Sequence, residues 1–142
     1  MDSDTSCMPR PKSDGNTIFA PKGLLRMLML KIASTKTVTG VEIMEEVPVI
    51  TESLWTPSPG SVYYLLGEME EHGLLIQVPT GEIGVKRYIS SEKGKLALES
   101  FKLDAQKNLY RQLTMLRVLS DLADNKNMSD AISNLSRKLF SR

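Results

Sequence analysis

The sequence predicts a mainly α protein with one small β-hairpin, and three observations lead to that fold class. Apolar residues recur at three- and four-residue steps in three blocks between residues 24 and 69. Two short β-type runs follow, Leu74–Val78 and Val85–Ile89, separated by a stretch holding Pro79, Gly81 and Gly84. From Ser91 the helical pattern returns and persists for about 30 residues, against a mean helix of about 11–12.

Each element has a local reason. Leu24, Leu25, Met27, Leu28, Leu30 and Ile32 line three turns of a first helix, with Pro21 ahead of it as a start signal. Thr39 and Glu42 form a capping box for a second helix, whose apolar face is Val41, Ile43, Met44 and Val47. Pro48 ends or kinks that helix, and Val49–Pro57 reads as a loop in which Trp55 has a packing role. Ser58-Pro59 is a cap and first-turn pair for a third helix reaching about His72, with Val62, Leu65, Leu66 and Met69 as its buried stripe. Gly73 stops it. The long helix starts under a Ser91 cap and runs to about Ala123, and Asp124-Asn125-Lys126-Asn127 breaks it. A last helix, Ser129 to Phe140, shows Ile132, Leu135 and Leu139 on one face. Helix, helix, helix, hairpin is the order of a winged helix-turn-helix; the long C-terminal helix is an addition. The expected division is a mobile tail over 1–20, a winged-helix module over 21–90 and a helical dimerisation region over 91–142.

Composition narrows the function classes. With 41% hydrophobic and 25% charged residues in 142, the chain reads as one water-soluble domain. The longest apolar stretch, Leu24–Ala33, is interrupted by Arg26 and Lys31 and is too short for a bilayer, so no membrane is expected. Met1-Asp2-Ser3-Asp4 lacks the features of a secretory signal, and a single cysteine, Cys7, permits no internal disulfide. A cytoplasmic location is the expectation. One histidine, one cysteine, no ligand cluster and no phosphate-binding glycine loop argue against an enzyme, a metal site and a cofactor. His72, beside Gly73, fits a capping or solvated role.

Net charge is only +1, so nothing global calls for nucleic acid. The basic residues nevertheless group, as Arg10, Lys12, Lys22, Arg26, Lys31 and Lys36 and again as Lys86, Arg87, Lys93 and Lys95. A near-neutral chain can carry one basic face, and ordinary solvated charges are the alternative.

Four pieces, in order, resemble one family. Trp55-Thr56-Pro57-Ser58-Pro59-Gly60-Ser61-Val62-Tyr63 resembles the recognition-helix entry of PadR-like regulators, and Met69-Glu70-Glu71-His72-Gly73-Leu74-Leu75 its continuation. Thr39-Gly40-Val41-Glu42-Ile43 resembles the family's second helix, with Val41 where Tyr is usual. Arg87-Tyr88 followed by Ser91-Glu92-Lys93-Gly94 resembles the wing strand and its exit. The resemblance covers roughly residues 23 to 100. Tyr64 departs from it where Pro is frequent, Ser90 where an apolar residue is usual, and Ser91 where Thr is common. It implies a DNA-binding transcriptional regulator, mostly a repressor in this family, with double-stranded DNA and a second copy of the chain as partners.

The residues support that picture. A recognition helix meets the major groove with its N-terminal residues, and Ser58, Gly60 and Ser61 are small enough to let backbone approach phosphate. Tyr63 and Tyr64 carry hydroxyls for phosphate or a base edge, Tyr64 being the better placed for a base and Tyr63 the more open to half-burial. Lys86 and Arg87 are expected on phosphate or in the minor groove, Lys22 and Arg26 on backbone phosphate, with solvated charge as the alternative for each. Leu109, Leu113, Leu116 and Leu119 form a stripe needing a partner, and with Leu28 they are the expected homodimer contacts. The alternative is that the last helix folds back over the stripe. A two-fold dimer reads a pseudo-palindromic operator with half-sites about one helical turn, or a multiple, apart. A winged helix serving only protein interaction, with Glu68, Glu70 and Glu71 on the third helix, and a chromosome-coating protein on the same fold are the rival readings. Operator, target gene and any small-molecule effector are not legible.

Overall fold

The computed structural model describes residues 23–140. The predicted tail over 1–20 and the candidate Lys22 lie outside them. The order is α1 (Leu24–Thr35), α2 (Gly40–Ile50), α3 (Pro59–Glu71), β1 (Leu75–Val78), β2 (Arg87–Ser90), α4 (Glu92–Leu122) and α5 (Lys126–Phe140). The chain forms two compact units, one up to Leu96 and one from Ala97, so the boundary falls inside α4.

The first unit is built on the caps the sequence announces. Thr39 Oγ1 accepts from the Glu42 N–H at 3.1 Å while Glu42 Oε1 accepts from the Thr39 N–H at 3.0 Å, closing a complete capping box on α2. Ser58 Oγ accepts from the Ser61 N–H at 3.2 Å, with Pro59 as the first residue of α3. Gly73 leaves α3 at φ 76°, a left-handed turn that glycine takes without a Cβ clash.

Pro48 does not end α2: the helix continues to Ile50. The proline sits within its last turn, so the missing N–H removes only one late bond, while Thr51 N–H still reaches the Val47 carbonyl at 3.0 Å. Thr51 Oγ1 then accepts from the Trp55 N–H at 3.1 Å, which pins the loop carrying half-buried Trp55.

Three helices and the hairpin close one core. Met29, Leu30, Ile43, Val62, Leu66 and Met69 are fully buried, and Leu75 and Tyr88 join them from the strands. Burial raises the Tyr88 phenol above its ordinary pKa. The strands pair antiparallel with Leu75 opposite Ser90 and Val78 opposite Arg87. β2 therefore starts two residues later than the apolar pattern suggests, because β1 ends at Val78 and Arg87 is its partner; Tyr88 also exchanges both backbone bonds with Val38 in the α1–α2 turn, at 2.8 and 2.9 Å. Ser90 is buried, and Gly94 fits beneath it: a Cβ there would stand 2.3 Å from the Leu74 carbonyl oxygen and 2.5 Å from Ser90 Oγ.

The second unit holds most of α4 and all of α5. α5 begins three residues ahead of the expected Ser129, because Asn125 Oδ1 caps it by accepting from the Met128 N–H at 3.0 Å. Tyr110 and Phe140 meet edge to face at 5.3 Å, and Ile132 is buried.

Candidate nucleic-acid interface

The geometry of α3 follows from its periodicity. Val62, Leu66 and Met69 turn one side inward, which leaves Gly60, Tyr64, Gly67 and Glu71 on the opposite side, all four exposed. Tyr64 is 67% exposed. Ser58 and Ser61 are exposed at the helix entry, their hydroxyls 2.9 Å apart in a hydrogen bond. The first turn of α3 holds no acidic residue, so the positive end of its dipole is uncompensated there.

Tyr63 is 52% exposed, with its ring laid over the start of α2. A Cβ on Gly40 would stand 2.5 Å from Tyr63 Cε1 and 2.9 Å from Cζ, so the glycine is what admits the ring. A cleft of about 720 Å³ opens beside it between α2, α3 and the wing, edged by Glu45, Glu70, Glu82 and Lys86 among others.

The candidate cations separate. Lys86 is exposed in the wing loop. Arg87 is half-buried and lines the same cleft, but its guanidinium is held there: Nη1 donates to Glu42 Oε1 at 3.0 Å and Nη2 to Glu42 Oε2 at 3.3 Å. Nη1 also lies 3.3 Å from the Thr37 carbonyl oxygen and 3.4 Å from its hydroxyl. The Arg87 hydrogen bond, then the Thr39 N–H, holds the Glu42 carboxyl below its ordinary pKa. Arg26 on α1 is ion-paired with Glu68 on α3. The sequence thus groups Lys86 with Arg87, and the fold gives them different surroundings: Lys86 is exposed and Arg87 is paired with Glu42. Glu42, which reads from the sequence only as a capping residue, and Thr37 enter this region unannounced. Nothing in local spacing points to them, since each lies at least 45 residues from Arg87.

Leu28 is half-buried in the first unit. In the second, Leu113 is half-buried, while Leu109, Leu116 and Leu119 remain 54%, 49% and 43% exposed with α5 in place. Among the described residues there is no group of three His, Cys, Asp or Glu side chains fit for a metal ion, and no helix long and apolar enough to cross a membrane.

A family model for PadR-like transcriptional regulators matches residues 29–100, just over half of the chain. The chain is 28% identical over 121 residues to Transcriptional regulator YqjI of Escherichia coli K12, a match spanning 85% of this chain and 58% of that protein. It therefore spans less than two thirds of that curated relative's length. A PadR-like transcriptional regulator from Bacillus cereus superposes with a TM-score of 0.56 at 26% identity, covering 67% of this chain and 93% of that one. A PadR family transcription regulator from Clostridium difficile gives 0.52 at 26% identity, covering 63% and 97%. A transcriptional regulator from Clostridium thermocellum gives 0.57 at 15% identity, covering 64% and 90%, and shares the fold.

Proposed function

Because the chain belongs to the PadR-like family of transcriptional regulators, we propose that it binds a pseudo-palindromic DNA operator as a homodimer, with α3 in the major groove and the wing on backbone phosphate or in the minor groove. The observation that carries this reading is the outer side of α3. Ser58, Gly60 and Ser61 open it with small exposed residues, and Tyr64 stands clear of the core beside them. The positive dipole end of α3 favours phosphate, and a phenol hydroxyl reaches a base edge. Lys86 supplies charge on the wing. Arg26, tied to Glu68, contributes less to phosphate than its sequence position suggests.

The leucines of α4 support the dimer. Three large apolar side chains left about half exposed in a row are a face for a second helix rather than for water. A second copy supplies that helix, and Leu28 offers it a contact on α1. Repression follows the family expectation.

The test is binding to genomic DNA fragments at two salt concentrations. Tight binding to a few palindromic fragments, weakened by salt and by Lys86→Ala, supports a regulator. Equal binding to every fragment supports a coating protein. The carboxylates Glu45, Glu70 and Glu82 around the cleft favour a second reading, a protein-interaction module. Absence of binding at low salt puts that reading first.

A further inference from the structure

Lys86 and Arg87 are the only cations between Leu74 and Ser90 and so the only two the wing can offer to DNA. One is exposed. The other commits both Nη atoms to the α1–α2 turn and the α2 cap. We propose that Arg87 is a positioning residue for DNA binding: its forked grip on Glu42 holds the wing in place beside α3, and it does not itself touch phosphate. The proposal rests on the DNA-binding reading above.

Four features converge on it. The fork is bidentate, a geometry that fixes orientation as well as distance. Glu42 Oε1 also accepts the Thr39 N–H, so the same carboxylate that caps α2 anchors the wing, and the wing is registered to the helix start itself. The neighbouring residue Tyr88 exchanges two backbone bonds with Val38, so the clasp and the bridge lie side by side on β2. Tyr63 of α3 lies over Gly40 in the same α2 turn, which brings the recognition helix to the same anchor. Releasing Arg87 to reach phosphate would cost Glu42 both guanidinium bonds and leave the wing held to the α1–α2 turn by the Tyr88–Val38 bridge alone.

Substitutions separate the two roles because they predict opposite signs. Glu42→Gln keeps an acceptor for the Thr39 N–H and so keeps α2 capped. If Arg87 positions the wing, this variant weakens DNA binding roughly three- to tenfold, as loss of one charge-assisted bond does. If Arg87 binds phosphate, Glu42→Gln frees it, removes a nearby negative charge and tightens binding. Arg87→Lys keeps the charge and loses the fork; it should bind as weakly as Arg87→Ala, and near-wild-type binding overturns the proposal. The salt dependence gives a third readout. Lys86→Ala should lower the slope of log K against log salt by about 0.9 for each phosphate it no longer neutralises, while Arg87→Ala leaves the slope unchanged. A lowered slope for Arg87→Ala also overturns the proposal.

A readout without DNA keeps this distinct from the functional reading. Arg87→Ala and Glu42→Gln should speed amide hydrogen exchange at Val38 and Tyr88, and Lys86→Ala should not. Should the wild type bind no DNA, the functional reading fails, and the positioning role in DNA binding falls with it. The clasp itself would still stand or fall on this exchange, and unchanged protection in Arg87→Ala refutes it.

Discussion

The two units carry equally regular apolar stripes and use them differently. In the unit up to Leu96, the stripes of α1, α2 and α3 close one core, with Met29, Leu30, Ile43, Val62, Leu66 and Met69 fully buried, although Val41, expected on the apolar face of α2, stays 55% exposed. In the unit from Ala97, the stripe of α4 keeps Leu109, Leu116 and Leu119 in solvent, and Ile132 is the one buried large apolar side chain among the described residues. Three helices and a hairpin can surround a volume, whereas two helices share a single seam and leave the rest of each face open. Periodicity therefore reports that a face exists, not what covers it.

That contrast can be broken by measurement, and the largest effect should come from the closed core. Leu66→Ala should cost about 2–5 kcal/mol of unfolding free energy, whereas Leu116→Ala, measured at a concentration too low for association, should cost well under half of that. Equal costs in chemical denaturation would mean that the second unit has a closed core of its own. Next, replacing Leu109, Leu116 and Leu119 together with serine should raise the dissociation constant of the proposed dimer at least about a hundredfold, read by sedimentation equilibrium. A variant that sediments as the wild type does would remove the α4 face from the interface. Gly94→Ala should cost about 1–3 kcal/mol, because its Cβ meets backbone at Leu74, which cannot rotate away. Gly40→Ala should cost less, since the Tyr63 ring can swing, and the comparison of the two melting curves decides this.

The smallest expected effect is that of pH. Glu42 is held below its ordinary pKa by Arg87. The sign is that of a depressed carboxyl: its stabilisation is present above the ordinary glutamate value and is lost as pH falls from there through the lowered, folded one. The Glu42 carboxyl resonance in an NMR titration should move up toward the ordinary value in Arg87→Ala. A midpoint that stays in place would mean that the Thr39 N–H, not Arg87, sets it.

Helix starts and stops are legible because each is settled within a turn of chain. Thr39 with Glu42, Ser58 with Pro59, and Gly73 all act where the local reading puts them. Asn125 is equally local: its polar run breaks the long helix as read, and Asn125 also supplies the cap that starts α5 three residues early. Pro48 reads as a stop because proline removes a donor, but so near the helix end there is only one bond to lose. The candidate site is less legible than the fold. The outer side of α3 can be derived from spacing, and Tyr64 stands where that derivation puts it. The wing cannot, because what Arg87 on β2 touches is a carboxylate on α2, 45 residues away.

By itself, the sequence determined the element types, their order, the caps and the apolar faces, because hydrogen bonds within a turn and side-chain spacing along one helix need no knowledge of distant residues. Only the tertiary structure decided which stripes close into a core and which stay open. It also decided that Arg26 answers Glu68, that Arg87 answers Glu42 and that Lys86 faces solvent. Those outcomes turn on distances between residues more than 40 positions apart. Hydrogen bonds and close ion pairs act over a few ångströms, so a charge's role is set only when folding chooses its neighbours.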